Sequence, residues 1–365
     1  MTYDSDSEEV RDRLTGWLRT QLPDADSLRV EGLDRVEFGH SAEMMVLTVV
    51  SGDGADEIRR DVVVRLRPRP PALLEPYDLA KQFTVLRALE GSAVRVPRAL
   101  WLEDTGDVLG RPFFVMERAP GTVYEMQAPH EPDVSADGVR RMCESIAEQL
   151  AAIHTVDIAG VHLDSLDDGG NHLDREIDHW SQELQRVKRV TLPALERLLH
   201  ELKVSRPSPH PAVTLVHGDA KPGNFAFVGD EVSAVFDWEL TTLGDPMTDI
   251  GYLELLWRMP VGIPSHDASL AIDDVIAHYE KAGGYTVVNR EWYRALNAFK
   301  LAVINLIGSR LFDDGITDDQ RFMLNAYGIP LFTQMGLADL GVTEQLDDGP
   351  VMPSDERMKQ AHSAH

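Results

Sequence analysis

The chain has 365 residues, with 35 Lys and Arg against 61 Asp and Glu, a formal net charge of −26, and 43% hydrophobic residues. That length allows one large or two medium domains, each with its own core, and the composition is globular rather than disordered or fibrous. The acidic surplus repels nucleic acid and anionic membranes, but it does not exclude a small phosphorylated ligand held by a local cluster of cations or by a metal.

The start, MTYDSDSEEV, is acidic and has no apolar core of signal-peptide length. A first helix is expected over about 7–21, stopped near Pro23. Three short segments rich in valine and leucine follow, around SLRVEGLDRVEF, AEMMVLTVV and RRDVVVRLRP, and these read as antiparallel strands. In DLAKQFTVLRALEG, Leu79, Phe83, Leu86 and Leu89 share one side of a helix that ends at Gly91. Two more strands are expected near RVPRALWL and RPFFVMER, and ERAPGTVY reads as a connector. The expected first lobe is thus residues 1–118, with five strands and one main helix.

From there the periodicity is mostly helical: about 138–155, a long segment 173–203, then 269–282, 290–311 and 319–339. Cys143, the only cysteine, lies in the first of these with Ile146, Leu150 and Ile153 at helical spacing. It reads as a buried thiol, excludes an intrachain disulfide and fits a reducing cytoplasm. No uninterrupted apolar run reaches membrane-spanning length. The acidic stretch 161–180 lacks calcium-loop spacing and reads as a solvated loop leading into a helix. The larger lobe spans 119–345, and 346–365 reads as a mobile tail. The oligomeric state is not legible.

One β-rich patch, about 213–237, interrupts the helices and carries the chemistry. Thr214, Leu215 and Val216 form a short strand ending at His217, which puts Asp219 on a strand-held loop. A hairpin turning around Asp230 and Glu231 would place Asn224 opposite Asp237. The Asn224 amide oxygen and the Asp237 carboxylate are hard ligands suited to magnesium, which takes few protein oxygens. Asp219 would accept a proton from a hydroxyl nucleophile, and Lys221 would meet a γ-phosphate oxygen. His217 reads as a brace for the loop, and Asp245 and Asp249 as capping or bracing residues.

The run His217-Gly218-Asp219-Ala220-Lys221-Pro222-Gly223-Asn224 resembles the catalytic loop of the protein-kinase-like fold, in the form seen in aminoglycoside phosphotransferases and choline kinases. Asp237-Trp238-Glu239 is similar to the family's magnesium-binding segment. LTTLGDPMTDIGYL and VLGRPFFVMERAPGTVY match its continuation and hinge. Within that family the chain looks like the group related to the kinase-like domains of some acyl-CoA dehydrogenases. The resemblance implies an α+β bilobal fold, with a small antiparallel sheet lobe for the nucleotide and a larger helical lobe for catalysis and the acceptor. It implies ATP or GTP as donor, Mg2+ as cofactor and a hydroxylated small molecule as acceptor. The backbone of Met116, Glu117 and Arg118 would meet the adenine, and Gly39 and Ser41 would cover the phosphates.

Two positions depart from the family pattern. The strand lysine is Arg65 and the helix glutamate is Gln82, so Gln82 or Asp78 would orient the arginine. The departures leave a nucleotide-binding pseudokinase as the alternative to an active small-molecule kinase. A metal-dependent phosphoesterase is the remote reading, since the clustered histidines that two metals demand are missing. Aminoglycoside, hydroxyacyl thioester, sugar and other alcohols stay open as acceptors.

Overall fold

The computed structural model describes residues 8–22, 27–36, 43–52, 57–130, 133–167, 169–352 and 354. It is an α+β protein of two compact units: Met1–Gly121 with Ser233–Glu239, and Thr122–Val232 with Leu240–His365.

The first unit opens with helix α1 (Glu8–Gln21) and the strands β1 (Arg29–Val36), β2 (Glu43–Ser51) and β3 (Ile58–Leu66). Helix α2 (Leu79–Leu89), β4 (Ala99–Glu103) and β5 (Phe113–Glu117) complete it, in an antiparallel sheet of order β1-β2-β3-β5-β4. Alternation along β3 sends Val62, Val64 and Leu66 into a core with Val10, Leu14 and Leu18 of α1. Arg65 takes the opposite parity, paired with Met44 and Phe114. On α2, the Phe83 ring lies 6.0 Å from that of Phe114 at a tilt of 57°, while Asp78 caps the helix by accepting from the Lys81 N–H at 2.8 Å.

The segment 233–239 joins this unit through the Val235 N–H, which donates to the Arg95 carbonyl, and the Ser233 hydroxyl, which donates to the Pro120 carbonyl. Its indole, Trp238, is buried.

The second unit carries helices α3 (Ala136–His154), α4 (His172–Val187), α5 (Pro193–Val204), α6 (Met247–Trp257), α7 (Ile272–Lys281), α8 (Arg290–Asp313) and α9 (Gln320–Asp339). The long helix expected over 173–203 is two helices. Residues 188–192 leave the helical path, and Pro193 restarts it at a first-turn position, where its missing N–H costs nothing. Helix α6 was not foreseen because it is buried all round: 10 of its 11 residues are inaccessible, so it shows no amphipathic period. By length and composition α8 could cross a membrane, but 89% of its apolar window is buried, against α4, α5, α6 and α9.

The expected mobile tail is in part engaged. The Asp348 carboxylate accepts the N–H groups of Ala194 and Leu195, which caps α5, and the Val351 carbonyl accepts from Ser309. Cys143 is fully buried.

The β-rich patch comprises β7 (Thr214–Val216), β8 (Phe225–Val228), β9 (Glu231–Val235) and β10 (Thr242–Gly244). Strand β7 pairs antiparallel with β10, and β8 lies between β9 and the short β6 (Thr122–Val123). The β8–β9 turn is formed by Gly229 and Asp230, because Glu231 already belongs to β9. Asn224 ends a 3-10 turn ahead of β8, and Asp237 follows β9 with φ +61°. Neither is therefore a ladder residue, and the expected cross-strand pairing of the two does not form.

Candidate active site

Strand β7 delivers His217 to a buried carboxylate. Asp249, fully buried on α6, accepts the His217 N–H at 2.7 Å and the Gly218 N–H at 2.8 Å, and its Oδ2 lies 3.1 Å from His154 Nε2. Burial pushes this carboxyl up, yet His154 and the His217 region outweigh it and hold it below the ordinary aspartate range. The loop backbone is thus clamped by a charge rather than by a ladder.

Gly218 has φ +84°, and a Cβ there would come within 2.4 Å of the Leu240 carbonyl oxygen, so only glycine fits. The Gly218 carbonyl accepts from Lys300 Nζ at 2.6 Å. Lys300 is buried on α8, with Trp180 and Tyr252 rings 5.6 and 5.4 Å away.

Asp219 follows, half-buried. Its N–H donates to His217 Nδ1 at 3.2 Å, which gives His217 the bracing part expected of it. The Asn224 amide nitrogen donates both to the Asp219 carbonyl and to Asp219 Oδ2, each at 2.8 Å. The side chain and backbone of Asp219 are therefore fixed by one amide, whose oxygen is the atom a metal would take. Lys221 pairs with Glu125 at 3.2 Å.

Behind this loop a small cavity, with room for about one water molecule, is lined by His172, Glu176, Gly218, Thr242, Asn297 and Lys300. His172 Nδ1 accepts the Asp245 N–H, while its buried Nε2 makes no hydrogen bond among the described residues and lies 4.0 Å from Glu176 Oε1. Asp245 also accepts from the Met247 N–H and the Tyr293 hydroxyl, as a bracing residue should.

In the first unit Arg65 is the centre. It is 6% exposed, and its Nη1 lies 2.8 Å from Asp237 Oδ1, its Nη2 3.1 Å from Glu239 Oε2, and its Nε 3.1 Å from the Tyr77 hydroxyl. Burial lowers the pKa of such a cation, but Tyr77, Asp237 and Glu239 outweigh that and raise it above the ordinary arginine value. Neither residue expected from the helix bonds Arg65 directly. Asp78 is committed to capping α2, and the buried Gln82 lies beside the Tyr77 hydroxyl with its amide nitrogen lacking a hydrogen bond.

Met116 is buried in β5, the Glu117 N–H donates to the Arg98 carbonyl and the Arg118 N–H to the Asp61 carbonyl. Two of the expected hinge donors are thus already engaged. Gly39 and Ser41 lie outside the described residues.

Sequence reasoning placed Glu239 only within the segment likened to the magnesium-binding one, and found no role for Lys300 or Tyr77. Lys300 carried a signal, as one cation inside the apolar run ALNAFKLAVINL. Among the described residues no group of three or more His, Cys, Asp or Glu could hold a metal. The donors present suit magnesium carried in on phosphates, which needs only one or two protein oxygens.

The fold is that of the protein-kinase-like phosphotransferases. The model of the phosphotransferase enzyme family, APH, matches residues 48–295, and the chain belongs to that family. Mouse acyl-CoA dehydrogenase family member 10 is 30% identical over 258 residues, which are 67% of this chain and 24% of that protein, so the chain spans about a quarter of its relative. A Ralstonia eutropha protein named as a candidate aminoglycoside phosphotransferase superposes with a TM-score of 0.73 at 24% identity, over 92% of this chain and 99% of that one. A thermostable mutant of the aminoglycoside phosphotransferase APH(4)-Ia, crystallised with ADP and hygromycin B, superposes at 0.57 with 16% identity, over 87% and 96% of the two chains.

Proposed function

We propose that the chain transfers the γ-phosphoryl group of ATP, or GTP, to a hydroxyl of a small molecule. The observation that carries this reading is the double hold of Asn224 on Asp219, with His217 taking the Asp219 N–H. A carboxylate fixed in this way is positioned to take a proton, as a general base must be.

Asp219 accepts the proton of the acceptor hydroxyl as its oxygen attacks the γ-phosphorus, and the bond from that phosphorus to the β–γ bridging oxygen breaks to leave the nucleoside diphosphate. Arg65 and Lys221 neutralise phosphate oxygens, and Lys221 exchanges Glu125 for phosphate when the nucleotide arrives. Asn224 and Asp237 would hold Mg2+, which would supply charge neutralisation on the phosphates. The purine takes carbonyls of the Met116 to Arg118 hinge. Its ring acceptor takes the Ala119 N–H, since the two preceding donors are engaged and Pro120 has none.

The ADP in the APH(4)-Ia complex supports a nucleotide donor. Hygromycin B belongs to that enzyme, and the acceptor here is proposed only as a hydroxylated small molecule. The test is fluorescent ATP binding with and without magnesium, then transfer of labelled phosphate to a panel of alcohols. Asp219→Ala should bind nucleotide as the wild type does and lose turnover. Undiminished turnover would remove Asp219 from the role of base, and nucleotide binding without transfer to any alcohol would favour a pseudokinase.

A further inference from the structure

Helix α2, LAKQFTVLRAL, contains no carboxylate at all. The residues that flank it are committed elsewhere: Asp78 caps the helix, and Glu90 pairs with Arg87 and Arg98. A cation on β3 cannot draw an anionic partner from that helix. Arg65 is nonetheless buried, and a buried cation demands a paired anion. It takes two, Asp237 and Glu239, which lie two residues apart on the segment 233–239.

The two carboxylates differ in their surroundings. The Glu239 side chain is 9% exposed and that of Asp237 22%. Asp237 also has the left-handed backbone, φ +61°, that aspartate enters more readily than most non-glycine residues. Only a guanidinium spans both oxygens and the Tyr77 hydroxyl at once, because its donors form a rigid planar fork. An ammonium at this position would be a point charge with no such reach. Arginine at residue 65 and glutamine at residue 82 are therefore two parts of one arrangement.

We propose that Glu239 is the positioning residue for Arg65: the anion that fixes the phosphate-binding cation, in the place that a helix carboxylate would otherwise fill. Glu239 then stays with Arg65 while Asp237 serves the metal. The proposal rests on the reading of Arg65 as a nucleotide-phosphate ligand.

The test uses the dissociation constant of a methylanthraniloyl-labelled ADP in EDTA, with no metal and no turnover, together with the melting temperature of each variant. Glu239→Gln should weaken metal-free binding by about tenfold, the scale of one charge-assisted contact. Adding Gln82→Glu should bring the affinity of the double variant back to within about threefold of the wild type, because a helix carboxylate then restores the missing charge beside the Tyr77 hydroxyl that Arg65 touches. Should Glu239→Gln fail to fold, Glu239→Asp, one methylene short, replaces it in the same comparison, with and without Gln82→Glu.

Three outcomes overturn the proposal alone: metal-free affinity unchanged in the single variant, a loss seen only when magnesium is present, or no rescue by Gln82→Glu. A wild type that binds no nucleotide overturns the phosphotransferase reading together with it.

Discussion

Asp249→Ala is the perturbation that most directly asks what holds the catalytic loop. The wild-type carboxylate is fully buried and takes two backbone N–H groups, at 2.7 and 2.8 Å, with His154 Nε2 at 3.1 Å. Alanine leaves these groups without an acceptor in a site closed to bulk water. An unsatisfied buried donor costs about 1–3 kcal/mol, so the two amides alone give about 2–6. Relief of the buried charge offsets part of that, and a net loss of about 3–5 kcal/mol matches the cost of removing one partner of a buried pair.

Asp249→Asn keeps one acceptor but turns an amide N–H toward a donor, so it should lose about half as much. Urea unfolding followed by circular dichroism measures both, with hydrogen exchange at the His217 and Gly218 amides as the local readout. The carboxyl is held below its ordinary value in the fold, so the unfolded state takes up the proton first. The stabilisation is complete above the unfolded pKa of about 4 and is lost as the pH falls through the folded value. An alanine variant that loses under about 1 kcal/mol, or one with the same acid slope as the wild type, would refute the clamp.

Gly218→Ala forces an L-residue into φ +84°, at about 1–2 kcal/mol, and drives its Cβ against the Leu240 carbonyl. It should destabilise measurably in the same urea assay and cut turnover far more than nucleotide affinity. Lys300→Met keeps the stem volume but leaves the Gly218 carbonyl without its ammonium donor, and should cost about 1–3 kcal/mol by thermal melting.

Local signals carried the reading as far as local physics reached. The spacing of Asp219 and Asn224 is written within a few residues, whereas the hairpin turn expected at Asp230 and Glu231 is formed by Gly229 and Asp230. The three N-terminal strands declared themselves by short runs rich in valine and leucine, and α2 by its period of 3.6. What the sequence hid is long-range: Arg65 and Glu239 are 174 residues apart, and nothing in VVVRLRP says which anion it will meet. Helix α6 was invisible for a related reason. A helix buried on every side erases the polar face by which helices are recognised in sequence. The 346–365 segment reads as a tail because charge and proline suggest one, yet Asp348 answers the orphan N–H groups of α5, a demand that exists only once the fold has formed.

Gln82 carries a different weight from Glu239. A helix residue that oriented Arg65 would be indispensable for nucleotide binding, whereas here Gln82 meets the Tyr77 hydroxyl and its buried amide nitrogen makes no well-formed hydrogen bond. Gln82→Met preserves the length and unbranched shape of the side chain and removes that unsatisfied donor. Its stability should be equal to the wild type or higher by about 1 kcal/mol, with labelled ADP bound within about threefold of the wild-type affinity. A tenfold loss of affinity at unchanged stability would mean that α2 does orient the arginine through Gln82. The anchor of the phosphate-binding cation would then have to be sought on the helix, and not on the segment that carries Asp237 and Glu239.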